Sequence, residues 1–441
     1  MRRRTYLTSA TATALSLSVA GCVGGEDDAP DAEDNSSADR DDGNSSDDPG
    51  GGTSSDDDRE DEATDDDETE EATDLVGTFD DFEALERWEA IAGTLEADGG
   101  HAFDGSQSAR LTASESETQT RIARELAEPI DVRGVVPGLA LSTSDVANVT
   151  IQLADDAGEY VQFRQHVRGD HPFVRQNFGH TAVSGDPDLS EITEIQVIDW
   201  TGDEREGEVW VDDLHFVPRF ETGRVMVQFQ GGFESDYTHA FPILESYDLT
   251  GSTFVATSRI RGSEAADGDR LTEAQLAELV DAGWSVGTVG ARHQQLHRVG
   301  PEEGRADILD PLEWFDERGY DESRYFAFPG GRYDEMQYEL VTEHYDVGYA
   351  GRFRSQGQPS NPFTLTRISG DVGQRNLDAE EMIEALDWTA EYGGMTTIVF
   401  YEMDDEDAEA LEETATHLAT LVSAGELELI TPGEIADEYV S

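Results

Sequence analysis

The chain contains no lysine, and arginine supplies all 29 of its basic residues. Against them stand 98 aspartates and glutamates, which give a formal net charge of −69. Ordinary soluble proteins use lysine heavily, whereas this composition is typical of proteins that work in near-saturated salt. There the Debye length falls to about 3 Å or less, so self-repulsion within the chain is screened. The composition predicts a halophilic, archaeal protein, and it excludes nucleic acid as a partner, because phosphate backbones are bound by clustered basic residues.

Cysteine is nearly as rare. Cys22 is the only one, so no disulfide can form within the chain. It follows Val19-Ala20-Gly21 at the end of a short apolar run that begins after Arg3-Arg4. The pattern resembles a twin-arginine export signal that ends in a lipobox. We therefore expect residues 1–21 to be removed and Cys22 to carry a lipid that holds the exported protein at the outer face of the cell membrane. The alternative is an ordinary signal peptide with a chance cysteine, and the run is too short for a transmembrane helix.

Large apolar residues are almost missing from residues 26–71, which carry 23 acidic residues and two arginines. Such a segment cannot bury enough apolar surface to offset the entropy cost of ordering it. It predicts a lipidated, acidic, disordered linker over residues 22–74, between the export signal and the folded part of the chain.

Residues 75–219 show short alternating strands, for example 147–153 and 159–163. The closing segment Val209-Trp210-Val211-Asp212-Asp213-Leu214 resembles that of galactose-binding-like jelly rolls. The resemblance implies an all-β, carbohydrate-binding-like sandwich. Such folds commonly hold a structural calcium, for which Asp212 and Asp213 are the candidates; the alternative is a solvated pair of carboxylates at a strand end. The candidates for stacking on a sugar are Trp88, Tyr160, Phe173, Phe178 and Trp200, although most aromatic residues of a sandwich belong to its core.

From residue 220 to residue 441 the pattern changes to strands that alternate with helices, over a length that suits one α/β barrel. Thr272 followed by Gln275 predicts a helix that begins with a capping box. The apolar spacing over Asp405–Ala424 predicts a long amphipathic helix. After it we expect a last strand and a closing helix over Thr431–Tyr439.

Four segments of this part occur in an order that is typical of one enzyme family. They are Val225-Met226-Val227-Gln228-Phe229-Gln230-Gly231-Gly232-Phe233, Gly287-Thr288-Val289-Gly290-Ala291-Arg292-His293, Phe326-Ala327-Phe328-Pro329-Gly330-Gly331-Arg332-Tyr333, and Asp387-Trp388 with Thr396-Thr397-Ile398-Val399-Phe400-Tyr401. Their order and spacing resemble the polysaccharide deacetylase (NodB-type) family over about residues 223–441. The resemblance implies a distorted (β/α) barrel whose site lies at the carboxyl ends of the strands and acts on glycan.

The resemblance also implies roles for individual positions. The general base of the family falls on Gln230, its acid on Tyr401, and its metal ligands on Gly231, Val289 and His293. The family uses a divalent metal such as zinc, but only His293 keeps a side chain that binds metal, and three protein ligands are the usual minimum for a catalytic site of this kind. We therefore expect no catalytic metal in the barrel and an impaired site. The residues that match the family's pocket walls are Phe229, Gly232, Pro329, Arg332 and Trp388.

Three functions are compatible with this pattern. In the first, the chain is a cell-surface lipoprotein that binds a polysaccharide or glycoprotein glycan with an impaired deacetylase site. In the second, it is an active carbohydrate de-N-acetylase that uses rewired residues. The candidates for that role are Glu234, Asp236, His239 and His297, the last of which would share a helical face with His293. In the third, it is a structural envelope protein that binds no glycan.

Overall fold

The computed structural model describes residues 75–114, 116–202, 206–320, 324–370 and 376–440. The predicted export signal, the lipidation site and the acidic linker lie outside the described residues. Within these ranges, no helix is both long and apolar enough to cross a membrane.

The first folded part consists of antiparallel strands. They are β1 (Gly77–Asp80), β2 (Glu89–Ala92), β3 (Thr94–Asp98), β4 (Ser108–Ala113), β5 (Gln119–Ile130), β6 (Val135–Thr143), β7 (Val146–Ala154), β8 (Tyr160–Arg168), β9 (Val174–Gln176), β10 (Gly179–Ser184), β11 (Ile192–Trp200) and β12 (Gly207–Pro218). One six-stranded sheet has the order β3-β4-β12-β6-β9, with β1 also paired to β12. The other has the order β10-β8-β7-β11-β5-β2.

Alternating burial explains why these sheets pack face to face. Along β8 every second residue from Val161 to Val167 is buried, which is the period of a strand with one face on a core. Buried side chains of both sheets, among them Leu139, Ile151 and Val211, form one apolar cluster. The prediction of antiparallel sheets packed as a sandwich before the barrel is confirmed.

The second folded part alternates strands with helices. Its strands are β13 (Gly223–Gly231), β14 (Ser252–Val255), β15 (Ser285–Thr288), β16 (Tyr325–Ala327), β17 (Val347–Arg352), β18 (Leu365–Arg367), β19 (Met395–Phe400) and β20 (Leu427–Leu429). Its helices are α1 (Phe241–Ser246), α2 (Glu273–Asp281), α3 (Pro301–Arg318), α4 (Glu335–His344), α5 (Ala379–Tyr392), α6 (Asp405–Ala424) and α7 (Pro432–Tyr439), and a π-helical turn, Asp236–Ala240, precedes α1.

Seven parallel strands wind into a barrel in the order β18-β17-β16-β15-β14-β13-β19. Ile368, which follows β18, donates its N–H to the carbonyl of Thr397 at 2.8 Å and accepts the N–H of Val399 at 2.9 Å. These two bonds join the edge strands and nearly close the sheet, while β20 pairs with the start of β13. The predicted distorted (β/α) barrel is thus confirmed.

The local helix signals are confirmed as well. Before α2, the hydroxyl of Thr272 accepts the N–H of Gln275, and the Gln275 side chain accepts the N–H of Thr272. The amphipathic helix α6 has the predicted bounds. The closing helix begins at Pro432, with Thr431 as its N-cap.

The sandwich packs against the barrel through buried polar contacts. Asn177, after β9, accepts the backbone N–H of Ser360 at 3.0 Å and donates to the carbonyl of Asn361 at 2.7 Å. The ring of His171 stacks on Tyr333 with a centroid distance of 4.1 Å. Tyr333 follows β16, so the sandwich contributes side chains beside the carboxyl ends of the barrel strands.

Candidate functional site

The carboxyl ends of the parallel strands bring the main predicted site residues together. Gln230 lies at the end of β13, His293 follows β15, and Tyr401 follows β19 directly. Arg367 is the last residue of β18. Parallel strands end at one edge of a barrel, which is where the active sites of (β/α) barrels lie.

The alternation of side chains along β13 decides which of them can line this site. Met226 belongs to the apolar cluster of the barrel interior, whereas Phe229 packs under the helices. The ring of Phe229 stacks on Trp284 at 5.1 Å and on Phe400 at 5.3 Å. Because neighbouring strand residues point to opposite faces, Gln230 faces the interior. The prediction that Phe229 lines the pocket is wrong for the same reason.

Gln230 is held from two sides. Its side-chain oxygen accepts an N–H from Nη1 of Arg367 at 2.8 Å. Its side-chain nitrogen lies 3.4 Å from Nε2 of His293. An amide nitrogen can only donate, so Nε2 is the acceptor. The amide thus links a guanidinium to an imidazole at the position where the family has its base.

His293 is a neutral side chain in cationic surroundings. Burial, and after it the positive charges of Arg259, Arg270 and Arg367, lowers the pKa of His293 to about 4. At neutral pH the imidazole therefore carries no proton on the nitrogen that accepts from Gln230.

One corner expected to hold a metal is filled by an aromatic ring and a guanidinium. A Cβ at Gly231 would lie 2.5 Å from the ring of Phe233, and the φ of +118° strains any side chain there. The guanidinium of Arg270 covers the same ring at 3.5 Å. Val289, the next expected ligand position, is buried in the apolar interior of the barrel.

These residues do not fit a divalent metal. Of the three ligand positions only His293 offers a donor atom, and that atom faces the amide of Gln230. The arginines that lower the pKa of His293 place positive charge around it, which opposes a further cation. Nowhere in the described residues do three or more His, Cys, Asp or Glu side chains form a group that could hold a metal ion.

Tyr401 lines a cavity of about 220 Å³ beside this cluster. Its hydroxyl lies 3.5 Å from that of Ser369, and its backbone N–H donates to Asn376 at 2.7 Å. The other lining residues are Gly330, Gly331, Ala350, Gly351, Arg352, Phe353, Arg367, Ile368, Gly370 and Val399. Its described lining therefore presents two guanidiniums, a phenol and the hydroxyl of Ser369.

The remaining predicted pocket residues lie in different places. Gly232 directly follows β13, and Pro329 is buried in the 3-10 turn Pro329–Gly331, whose two glycines line the cavity. Arg332 turns toward the sandwich and pairs with Asp170 at 3.2 Å.

Trp388 lies away from the pocket. It is on α5, and its ring packs against His180 of the sandwich at 5.1 Å. Helix α5 belongs to the layer outside the barrel, so this side chain is directed at the neighbouring sheet and not at the strand ends. The prediction that Trp388 is a pocket wall is corrected accordingly.

Two acidic candidates for a rewired site are engaged elsewhere. Glu234 pairs with Arg261 at 2.7 Å. Asp236 is fully buried and accepts the hydroxyl of Thr253 at 2.8 Å. Burial raises the pKa of Asp236 to about 7, but no exposed surface gives a substrate access to it.

The two histidine candidates are also apart from Gln230. His239 lies 3.6 Å from Asp405 at the start of α6. His297 lies in the 3-10 turn Leu296–Arg298. His293 has a left-handed backbone with a φ of 55°. The expectation that His293 and His297 share a helical face is therefore wrong.

The candidate calcium ligands are occupied by protein donors. Asp212 accepts the backbone N–H groups of Phe103 at 3.0 Å and Asp104 at 3.2 Å. Asp213 accepts the hydroxyl of Thr78 at 2.7 Å and pairs with Arg175. The guanidinium of Arg175 supplies positive charge beside Asp213, and calcium at this pair stays a prediction. The two carboxylates fix β12 to neighbouring strands and to one loop.

The sequence motifs did not identify Arg367. The signal is present in Leu365-Thr366-Arg367, because Leu365 belongs to the barrel interior and Arg367 lies two residues later on the same face. This signal can be recognised only when the short segment is already known to be a barrel strand.

Comparison with known proteins finds a similar family for the part of the chain that forms much of the barrel. Residues 219–346 match the family model described as Polysaccharide deacetylase. This segment is similar to the polysaccharide deacetylase family. The curated relative "Putative polysaccharide deacetylase YxkH" of Bacillus subtilis (strain 168) is 25% identical over 163 residues, which are 37% of this chain and 57% of the relative. The chain thus spans a little more than half of that relative's length.

Solved structures give weaker similarity. The family 4 carbohydrate esterase from Streptomyces lividans, in complex with acetate, is 17% identical, and the match covers 48% of this chain and 94% of the esterase with a TM-score of 0.33. The family 11 carbohydrate-binding module of a Clostridium thermocellum cellulosomal cellulase is 13% identical, with 32% and 94% covered and a TM-score of 0.27. The architecture of the deacetylase-type barrel therefore rests on its strand order and closure.

Proposed function

We propose that this chain is an exported lipoprotein that binds an envelope or extracellular glycan through a deacetylase-type barrel that no longer hydrolyses it. The observation that carries the proposal is the amide of Gln230, held between Arg367 and His293 where the family has its base. The fold keeps a cavity at the strand ends, while the groups that activate water are replaced.

The chemistry of deacetylation explains the loss. A base must take a proton from water, a positive centre must polarise the acetyl carbonyl, and an acid must protonate the leaving amine. A carboxamide does not titrate, and His293 with a pKa of about 4 is a weak base at neutral pH. Loss of one acid–base group typically slows such reactions by about 10²–10⁴-fold. Loss of the metal ligands as well removes any useful rate.

The sandwich adds a surface with chemistry suited to sugars. A groove of about 550 Å³ on its second sheet is lined by residues that include Arg121, Gln152, Tyr160 and Gln196. Arg121 donates to Gln152 at 3.1 Å, and Gln152 donates to Gln162 at 3.0 Å. A row of amides beside an aromatic ring offers the donors, acceptors and apolar face that a sugar ring requires. This groove supports glycan binding by the full chain.

The test uses the full-length chain, purified in molar potassium chloride. Divalent metal content is measured together with acetate release from N-acetylated chito-oligosaccharides, and glycan binding is screened in the same salt. We expect no stoichiometric zinc, no acetate release above the rate without protein, and retained glycan binding. The variant His293→Ala is expected to match the native chain in acetate release.

Other outcomes decide between the alternatives. Stoichiometric zinc with acetate release that disappears in His293→Ala would overturn the proposal in favour of a rewired de-N-acetylase. A folded protein that binds none of the glycans would instead support a structural role in the envelope.

A further inference from the structure

The cavity beside Gln230 is opposite in charge to the chain as a whole. Arg352 and Arg367 line it, and among the described residues that line it there is no Asp or Glu. The whole chain carries 98 acidic residues against 29 basic ones. The other polar side chains of the lining are the hydroxyls of Ser369 and Tyr401. A cleft lined by one sign of charge raises the local concentration of the opposite ion.

Arg367 places a half-buried guanidinium in the lining of this cavity. Its Nη1 donates to the uncharged oxygen of Gln230 at 2.8 Å. Across the described ranges of the chain, no carboxylate forms an ion pair with it. Burial lowers its pKa, because a buried charge without a counter-charge is costly. A guanidinium has five N–H donors in a planar fork that matches an oxyanion, so an anion in the cavity would supply both acceptors and counter-charge.

The surroundings strengthen the positive field. Arg352 is exposed at the end of β17 and lines the cavity. Arg259 and Arg270 lie near enough to His293 to lower the pKa of its imidazole. Of these two, Arg270 is neutralised by Asp269 at 2.8 Å. The site therefore keeps a net positive charge even when the pair of Arg270 and Asp269 is counted as neutral.

We propose that this cavity binds the oxyanion of an acidic sugar, a carboxylate or a sulfate ester, between Arg367 and Arg352. The inference rests on the proposed function, that the barrel binds glycan, and narrows the ligand to acidic polysaccharides. The volume of about 220 Å³ lies below the ~300–1,000 Å³ of pockets for drug-sized ligands. It suits one charged sugar unit and not a longer stretch of chain.

In molar salt, such a site cannot attract an acidic ligand over long distances. With a Debye length of about 3 Å, attraction over longer distances is screened. Charge-assisted hydrogen bonds to a desolvated guanidinium act at contact and survive this screening. A neutral sugar in the cavity would leave the charge of Arg367 uncompensated, so acidic sugars are preferred.

The experiment is a binding titration of the full-length chain in molar potassium chloride. The ligands are three oligosaccharides of equal length, one with uronic acids, one with sulfate esters, and one neutral and N-acetylated. We expect at least one acidic ligand to bind about tenfold or more tightly than the neutral one, as the loss of a charged hydrogen bond predicts. The two acidic arms distinguish carboxylate from sulfate.

Two variants test whether Arg352 and Arg367 cause the preference for acidic ligands, and a third variant controls for the overall charge of the chain. Arg352→Gln, at an exposed position, and Arg367→Gln should each weaken binding of the acidic ligand about tenfold or more, and neither should weaken binding of the neutral ligand. Arg305→Gln removes the same charge from the exposed surface of α3, outside the cavity lining, and should change neither affinity. Thermal unfolding in the same salt separates loss of binding from loss of fold in Arg367→Gln, and if that variant unfolds, Arg352→Gln decides alone.

Equal affinity for acidic and neutral ligands would overturn the oxyanion site and leave glycan binding intact. An effect of Arg305→Gln as large as that of Arg352→Gln would do the same, because the attraction would then come from overall charge. Binding of neither ligand class by the folded native chain would overturn the proposed function itself.

Discussion

Gln230 and Arg367 illustrate how one residue sets the role of another. A carboxylate at residue 230 would form an ion pair with the guanidinium 2.8 Å away and neutralise it. The amide accepts the same hydrogen bond without cancelling the charge. The replacement that removes the family's base therefore also leaves Arg367 charged and free of a counter-ion at the cavity. Under the proposed function, this one change of atom type replaces a group for hydrolysis with a setting that favours an anion.

Buried histidines lead to a prediction about pH. Burial is the main cause that lowers the pKa of His171, His180 and His293 to about 4, while a histidine in an unfolded chain has a pKa of about 6.5. Between these values the unfolded chain binds protons that the native protein does not. The free energy of unfolding should therefore fall as the pH is lowered from about 6.5 to about 4, by on the order of 3 kcal/mol for each histidine. Above pH 6.5 these groups add no pH dependence.

Denaturant unfolding at several pH values in molar salt checks this sign. The variant His180→Gln, which has no titrating ring at the contact with Trp388, should show a shallower loss of stability over the same range. Parallel pH profiles for the native chain and this variant would contradict the assignment for His180.

At the residue scale the motifs located Gln230, His293 and Tyr401, because family spacing fixes which strand ends they follow. They did not reveal which neighbours each one touches. The partner of Gln230 lies more than a hundred positions later in the chain, on a strand of three residues. Contacts of that kind depend on barrel closure, and a short strand leaves only a weak periodic signal.

Secondary-structure elements were easier to predict than their packing. Capping at Thr272 and the bounds of α6 follow from local hydrogen bonds and apolar spacing, which operate within one element. The alternation that turns Phe229 outward also follows from a local rule, but a motif alignment does not contain it. The contact between sandwich and barrel was not predicted, since neither Asn177 nor Trp388 differs in local pattern from an ordinary surface residue.

This contact gives a prediction at the scale of elements. In Asn177→Ala, the part-buried N–H of Ser360 and the carbonyl of the buried Asn361 lose their partner. Buried groups left without partners cost about 1–3 kcal/mol each, so the variant should lose about 2–4 kcal/mol of unfolding free energy. Chemical denaturation in molar salt measures the loss. The control is Asn148→Ala on β7, whose side chain bonds to His166 at 2.8 Å on the open face of the sheet; equal losses in both variants would show that Asn177 does not join the two parts.

At the scale of the whole molecule, composition and architecture answer different questions. The lysine-free, acidic composition leads to a prediction about the solvent in which the protein works and contains no information about the fold. Information about the fold lies in the change from alternating strands to strands that alternate with helices, because each pattern of apolar residues is typical of one kind of layer. The cationic cavity depends on both composition and fold. In an acidic protein, a group of arginines with no described carboxylate among them can be recognised only in the folded structure, which brings its members together.

The attachment of the protein to the cell is a prediction from sequence, because Cys22 lies outside the described residues. Paired arginines, a short apolar run and small residues before Cys22 motivate a lipid anchor after export in the folded state. One acyl chain gives only marginal membrane binding, whereas two give stable anchoring, and an archaeal lipid would supply both. In Cys22→Ser the protein should move from the membrane fraction to the medium when cells are grown and fractionated at high salt, while replacement of Arg3 and Arg4 by other residues should stop export and keep it inside. Since the chain repels anionic surfaces through its own charge and has no described helix that could span a bilayer, a Cys22→Ser protein that stays with the membrane would rule out lipidation as the anchor.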